Sequence, residues 1–139
     1  MIALTIAAML AQQAPPPAPD PCNAVPRPAA LPAGCTQWRL LRETPEGSTA
    51  VDPAPVRRDG DIVEIVNRAI LGEAMRDGAR SFNSRIRLDC RRRTSLIMHI
   101  VAYTGEGVKI FDGPAAPAQP QQVMEGTPYG DMIALFCPR

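Results

Sequence analysis

Four cysteines are the residues of this 139-residue chain with the widest choice of chemistry, because a cysteine can ligate a metal, act as a nucleophile or form a disulfide. They are Cys22, Cys35, Cys90 and Cys137. Zinc sites usually contain closely spaced cysteine pairs, whereas this chain has no C-x-x-C motif and a single histidine, His99. The spacing gives no reason to expect a metal or another cofactor.

A nucleophilic Cys90 would need an accessible thiol of low pKa and a base beside it. Arg91, Arg92 and Arg93 follow it directly and would favour the thiolate. The residues before Cys90, however, alternate in a way that directs its sulfur towards the interior, and His99 lies nine residues further along the chain. We therefore expect Cys90 to form a covalent crosslink.

An even number of cysteines in a small chain with an export signal favours disulfides formed outside the cytosol. Of the three possible connectivities we favour Cys22–Cys35 with Cys90–Cys137. The first would pin a proline-rich tether to the start of the folded domain, and the second would fasten a C-terminal helix to a sheet. The loop-entropy model assigns them roughly 3 and roughly 4 kcal/mol.

The amino-terminal segment predicts an exported protein. An apolar run from Ile2 to Ala11 is too short to span a bilayer and fits a secretory signal peptide, which we place at residues 1–14. Residues 15–35 are rich in proline, which excludes a helix interior or a central strand, and we interpret them as an extended tether. Residues 36–139 are expected to form one domain, located in the periplasm or on the outer surface and not transmembrane.

Composition limits both the core and the partners. Apolar residues make up 45% of the chain but aromatic residues only 4%, so the core must consist mainly of aliphatic side chains and methionine. Trp38, the one tryptophan, is expected to anchor that core. The net charge of +1 provides no global attraction for nucleic acid.

The periodic patterns predict several antiparallel strands. Asp59–Gly60 separates two runs, as in a β-hairpin. The run at 62–70 fits a helix as well as a strand, and its β-branched residues after a turn favour a strand. A loop is expected at 71–81, a second apolar strand at 96–103, and a proline-broken surface loop at 114–122.

The end of the chain predicts one helix. Thr127 is a suitable N-cap, Pro128 suits the first helical position, and Pro138 follows the expected end. The fold class is therefore α+β: an antiparallel β-sheet with a C-terminal helix packed on it and disulfides crosslinking the two.

Strict alternation along residues 82–90 divides that strand into two faces. Ile86, Leu88 and Cys90 point one way, and the intervening charged residues point the other. Guanidinium groups bind carboxylates and phosphates well, so the arginines of the outer face are the candidate contact residues. They are Arg85, Arg87, Arg91, Arg92 and Arg93.

Scattered positions along residues 36–139 also follow a recognisable order. It runs from a first strand near Trp38 through Val51–Asp52, the Arg58 to Gly60 turn, Asp89–Cys90, the Tyr103 to Gly107 turn and Phe136–Cys137. In this layout the chain resembles the surface-adhesin protein E family of Gram-negative bacteria. It departs from the family at Ala50 or Val51, where an aromatic residue is common, at Val123 or Met124, where the family has tryptophan, and at residues 125–127.

This resemblance implies an exported, disulfide-closed antiparallel sheet with a packed helix, able to form a homodimer and without catalytic residues. We expect a non-catalytic extracytoplasmic binding or adhesin-like module of the envelope, whose partner is an unidentified protein or an anionic envelope polymer. The alternative is a small periplasmic hydrolase or thiol enzyme. That alternative needs a clustered acid–base constellation, and one histidine with dispersed carboxylates does not provide it.

Overall fold

The computed structural model describes residues 14–116 and 118–139, so the predicted signal peptide lies outside the described residues except for Ala14. The described residues form a curled antiparallel sheet, a short 3-10 turn before it and a helix after it. The strands are β1 (Arg39–Thr44), β2 (Gly47–Val51), β3 (Arg57–Asp59), β4 (Ile62–Leu71), β5 (Ala79–Asp89), β6 (Thr94–Thr104), β7 (Lys109–Pro114) and β8 (Gln121–Gln122); the 3-10 turn is Pro21–Asn23 and the helix is α1 (Pro128–Phe136). The predicted α+β class with an antiparallel sheet and a terminal helix is confirmed.

The strand order is β1-β2-β4-β5-β6-β7, with β3 added to β4 and β8 added to β6. Among the described residues, five of the seven strand pairs join strands that are consecutive in sequence, because turns connect them directly; the other two are β2 with β4 and β6 with β8. The outer sides of β1 and β7 have no strand partner among the described residues, so the sheet keeps two edges at which another chain can pair.

Strands β4 and β5 form the centre of the sheet and define its two faces. They pair without interruption from Ile62↔Asp89 to Ile70↔Ser81. Because side chains alternate across a strand, Val63 and Leu88 point to one face, which we call the helix face, and their neighbours point to the opposite, second face.

The core lies between the helix face and α1. Its members are aliphatic apart from Met132 and Phe136, as the low aromatic content predicts. They are Val51, Val63, Ile65, Ile86, Leu88, Val123, Met132, Ile133 and Phe136. The predicted inward direction of Ile86, Leu88 and Cys90 is thus confirmed, since the first two are fully buried and the third packs against this cluster.

Helix α1 begins where the sequence predicts. Thr127 is the N-cap, and its Oγ accepts a hydrogen bond of 3.2 Å from the amide of Gly130, while Pro128 occupies the first turn. Asp131, also in the first turn, accepts a two-pronged hydrogen bond from the guanidinium of Arg42 on β1. This pair connects the helix to the edge of the sheet, at a helix end where negative charge is favourable.

Both disulfides join the pairs favoured above. Cys22 and Cys35 have Cα atoms 5.3 Å apart, and Cys90 and Cys137 have Cα atoms 5.5 Å apart. The second bond connects the end of β5 to the residue after α1 and packs against the core, whereas the first lies in the segment before the sheet. Cys90 is therefore a structural crosslink and not a nucleophile.

Three sequence expectations need correction or refinement. Trp38 is half-buried and does not belong to the core cluster; it lines a small cavity on the second face, beside the amino-terminal segment. The expected loop at 71–81 is shorter, because β4 continues to Leu71 and β5 already begins at Ala79. The proline-rich loop at 114–122 contains the short strand β8, which pairs with the start of β6.

Removing the crosslink between Cys90 and Cys137 should lower the free energy of unfolding by about 4 kcal/mol, because the unfolded chain regains the freedom of a long loop. The variant C90A/C137A should therefore unfold at a lower guanidinium concentration than the wild-type protein.

C22A/C35A is the matched control, and it should lose less stability, since the segment that this disulfide closes can detach without exposing the core. Equal losses in the two variants, or an unchanged unfolding midpoint in C90A/C137A, would contradict this account.

Candidate binding surface

A buried carboxylate organises the central part of the second face. Glu64 on β4 exposes only 1% of its side chain, although it points away from the core. Arg85 donates from Nη2 to its Oε2 at 2.6 Å, and Arg87 donates from Nη2 and Nε to its Oε1 at 3.0 and 3.2 Å. A third guanidinium, that of Arg57, lies 3.8 Å from the same Oε1. We call Glu64 with these three residues the arginine cluster.

The strand register explains why these side chains meet. Arg57 on β3 and Arg87 on β5 stand directly opposite Glu64 on β4, one on each side. Arg85 is two residues before Arg87 and shares its face, so it reaches Glu64 diagonally. Three hydrogen bonds, one to Oε2 from Arg85 and two to Oε1 from Arg87, pair both carboxylate oxygens and offset the free-energy cost of burying the charge.

Glu64 is ionised at neutral pH. The hydrogen bond from Arg85 is the main cause that lowers the pKa of Glu64 below its ordinary value, and Arg87 adds to it, while burial opposes both. Three guanidinium groups therefore surround one ionised carboxylate. Their side chains remain 52%, 44% and 38% exposed for Arg57, Arg85 and Arg87, so each still has N–H groups facing solvent.

A second polar group continues this face across β6 and β7. His99 stands opposite Arg85 in the register, and its Nε2 lies 2.6 Å from Oδ1 of Asp112. Lys109 donates from Nζ to the other oxygen of Asp112 at 2.9 Å. These two hydrogen bonds, that from Lys109 first, hold the pKa of Asp112 below its usual value. The second face therefore carries paired charges from β3 to β7.

The five arginines predicted as a contact face fall into different settings. Arg85 and Arg87 belong to the arginine cluster, and Arg91 to Arg93 form the exposed turn between β5 and β6. Asp89 shapes that turn by accepting hydrogen bonds from the amides of Arg91 and Arg92.

Arg92 and Arg93 of the turn lie in different surroundings. Arg92 lines a shallow cavity of about 250 Å³ together with Arg87. Arg93 lines a different cavity, formed with Cys137 and the carboxyl end of the chain. The structure thus brings Arg85, Arg87 and Arg92 to one side of the molecule, and turns Arg93 away from them.

Sequence reasoning missed Glu64 and Arg57, the acidic centre of the cluster and its third arginine. The signal that could have identified Glu64 is its placement within the apolar run 62–66. A charge at such a position is normally solvent-exposed, and only the pairing of β3 and β5 with β4 shows that it is buried and neutralised. Arg57 has no comparable signal in the sequence.

A larger cleft lies elsewhere, on the helix face beside β6. It has a volume of about 440 Å³ and a mainly apolar lining that includes Ile97, Ile100, Val123 and Tyr129. Burial raises the pKa of Tyr129, so this phenol stays neutral. The residues of the described part of the chain that line the cleft are uncharged.

Two further observations concern residues 14–116 and 118–139 only. No three His, Cys, Asp or Glu side chains in this part of the chain lie close enough together to hold a metal ion. None of its helices has the length and hydropathy required to cross a membrane.

Comparison with known protein families matches residues 38–138 to the description "surface-adhesin protein E". The chain belongs to the surface-adhesin protein E family. The resemblance seen in the sequence is thereby confirmed over the whole of the sheet and α1. A search of curated proteins found none that matches the chain. Membership of an adhesin family indicates a binding protein rather than an enzyme, and together with two disulfides it indicates a location outside the cytoplasm.

Replacing Glu64 by glutamine should destabilise this adhesin-family protein by about 1 to 3 kcal/mol at pH 7, because Arg85 and Arg87 lose a charged acceptor. The pKa of Glu64 is lowered in the folded state, so its stabilising contribution is present above the unfolded pKa and is lost as pH falls through the folded value. The difference in stability between wild type and E64Q should therefore shrink below about pH 4.

Guanidinium unfolding at pH 7 and at pH 3 measures both effects. E73Q, at an exposed position in the loop after β4, is the matched control and should leave stability unchanged. A difference for E64Q that is independent of pH would show that the carboxylate charge does not stabilise the fold.

Proposed function

We propose that this protein is a non-catalytic binding module of the Gram-negative envelope, and that its arginine cluster contacts acidic groups on a partner protein or on an anionic envelope polymer. The observation that carries the proposal is the arrangement of Arg57, Arg85 and Arg87 around one buried carboxylate. Family membership supports adhesion as the class of function.

The cluster is suited to binding because its arginines are oriented before a partner arrives. Arginine side chains are flexible, and a large part of their binding energy is normally lost in ordering them. Here Glu64 fixes the guanidinium planes of Arg85 and Arg87 on a rigid strand, while their remaining N–H groups stay accessible. A guanidinium fork of this kind binds carboxylate or phosphate oxygens in a defined geometry.

The strands also limit what the cluster can recognise. Arg57 lies on β3, and Arg85 and Arg87 lie on β5, with β4 between them. These two strands are therefore about 10 Å apart, so the cluster is a patch rather than a deep pocket. A patch of partly neutralised arginines suits repeated acidic groups on a surface or polymer better than one small enclosed ligand. Arg92, beside Arg87, extends the patch towards the turn.

We also propose that residues 1–14 are a signal peptide and that the mature protein resides in the periplasm or on the outer surface. Mass spectrometry of protein from an envelope fraction, with and without reductant, measures the mature amino terminus and the thiol content together. We expect a chain that begins after the apolar run and has no free thiol before reduction. An unprocessed amino terminus or four reactive thiols would contradict the export proposal.

The double variant R85A/R87A should bind acidic surfaces about tenfold more weakly than the wild type, because two charged hydrogen-bond donors are lost. Suitable probes are immobilised lipopolysaccharide, which presents phosphates, and polyglutamate, which presents carboxylates. Binding of the wild type should weaken as salt is raised, as expected for ionic contacts.

R39A/R76A is the matched control, since it removes the same charge from two exposed arginines outside the cluster. If R85A/R87A is unstable because Glu64 is left unpaired, E64Q/R85A/R87A removes that problem and tests the same contact. Equal binding by the cluster variants and the wild type would rule out the cluster as the contact surface.

A further inference from the structure

A short amino-terminal segment covers the second face near the carboxyl end of β4, whereas the arginine cluster lies near the amino end of that strand. Residues 20–25, which we call the N-terminal strap, lie across the sheet and contact the turn between β6 and β7. The amide of Asp20 donates to the carbonyl of Gly107 at 2.9 Å, and the amide of Val25 donates to the carbonyl of Gly105 at 2.7 Å. Gly107 is necessary for this approach, because a Cβ at that position would collide with the carbonyl oxygen of Asp20.

Beneath the strap lies a buried cation. Arg68 on β4 is only 4% exposed. Its Nη1 donates to Oδ1 of Asn23 at 2.8 Å and to Oδ1 of Asn83 at 3.0 Å, and its Nη2 donates to the backbone carbonyl of Asn23 at 3.0 Å. All three acceptors are neutral, in contrast to the carboxylate of the arginine cluster. Burial lowers the pKa of Arg68, as expected for a cation removed from water without a directly bonded counterion.

A second buried polar group stands diagonally across from Arg68 in the register of β4 and β5. Ser81 is fully buried, and its Oγ has no hydrogen-bond partner in the described part of the chain. It shares its face of β5 with Asn83, two residues further on, and Asn83 is directly opposite Arg68. Arg68, Ser81 and Asn83 form what we call the Arg68 recess. Unpaired buried groups of this kind are rare in folded proteins, and the Ser81 hydroxyl leaves a donor and an acceptor for a polar ligand or a water.

The strap occupies this recess through a single side chain. Asn23 is the one buried residue of the segment 14–38, and its neighbours are half-buried or exposed. Its Oδ1 also accepts from Nδ2 of Asn83 at 2.8 Å, and its Nδ2 donates to the carboxylate of Asp20 at 2.8 Å. The strap thus binds as a ligand would, with little apolar burial: one polar side chain enters the recess, two backbone amides donate to the β6–β7 turn, and one backbone carbonyl accepts from Arg68.

The Cys22–Cys35 disulfide limits how far the strap can move away. It closes a loop that contains Asn23 and returns the chain to Trp38, at the start of the sheet. A tethered segment has a high effective concentration at its site, which excludes competitors even when its intrinsic affinity is low. Loss of the disulfide lengthens the tether and lowers that concentration.

We propose that the Arg68 recess is a second binding site, that it accepts an extended peptide presenting an Asp or Glu side chain, and that the N-terminal strap occupies it as an internal ligand. The preference for an acidic side chain follows from charge: a carboxylate in the place of the Asn23 carboxamide would give the buried guanidinium a direct counterion, and such hydrogen bonds are about twice as strong as neutral ones. This site is separate from the arginine cluster and does not depend on its function.

The test uses full-length protein with the strap released, C22S/C35S/N23A. The probes are capped synthetic peptides of residues 18–27 with Cys22→Ser: the native order, a swapped peptide with Asp20→Asn and Asn23→Asp, and a control with Asn23→Ala. The native and swapped peptides have the same composition and net charge, so only the position of the carboxylate differs. Trp38, the one tryptophan, lines the cavity beside Cys22 and Arg68 and reports binding by its fluorescence.

We expect the swapped peptide to bind the released variant about tenfold more tightly than the native peptide, and the alanine control to bind least. The wild-type protein should bind the swapped peptide at least about tenfold more weakly than the released variant does, because its own strap competes. The proposal is wrong if the swapped and alanine peptides bind equally, or if the wild-type protein and the released variant bind the swapped peptide equally.

Hydrogen exchange provides a measurement that does not depend on the triple variant. In C22S/C35S the amides of Asp20 and Val25 should exchange faster than in the wild type, and adding the swapped peptide should accelerate them further, while amides of β4 and β5 remain protected. Unchanged exchange of these two amides in both conditions would show that the strap is a fixed part of the fold, and would overturn the proposal.

Discussion

The pairing of β4 with β5 is the constraint on which the rest of the molecule depends. It is the longest uninterrupted register in the sheet, and it assigns every side chain of these strands to one of two faces. On one face it assembles Val63, Ile65, Ile86 and Leu88 under α1. On the other it places Glu64 between arginines and Arg68 beside Asn83. A shift by one residue would exchange the faces and bury the charges in the core, so the apolar pattern and the polar pairs specify the same register.

The two disulfides serve this sheet differently. Cys90–Cys137 packs against the core, where it connects the end of β5 to the end of α1 and supplements an interior that has few aromatic side chains. Cys22–Cys35 lies in a segment with a single buried residue, and it restricts the position of that segment more than it supports the core. Crosslinks of similar geometry can therefore contribute to stability in one place and to the occupancy of a site in another.

Local features of the sequence were sufficient for much of the fold. The faces of β5, the hairpin at Asp59–Gly60 and the N-cap of α1 depend on neighbouring residues, so periodicity and turn chemistry predict them. The candidate site was predicted only in part. Arg85 and Arg87 were identified from alternation, but their counterion Glu64 comes from another strand, and its burial depends on a register that no local pattern reveals. Trp38 was assigned to the core because it is large and apolar, yet a proline-rich segment supplies the surface against which it lies.

On the second face, solvent exposure determines how each arginine can bind a partner. Arg85 and Arg87 share one carboxylate and remain 44% and 38% exposed, so their free N–H groups can meet an external acid without displacing any part of the protein. Arg68 has the same functional group but is 4% exposed, with neutral oxygens around it and a removable segment above it. For the open arginines, binding depends on how well a partner surface matches them. For Arg68, binding depends on competition between a partner and Asn23 of the same chain. The tether sets the effective concentration of Asn23 at the recess, and this concentration determines the affinity that a partner needs in order to displace it.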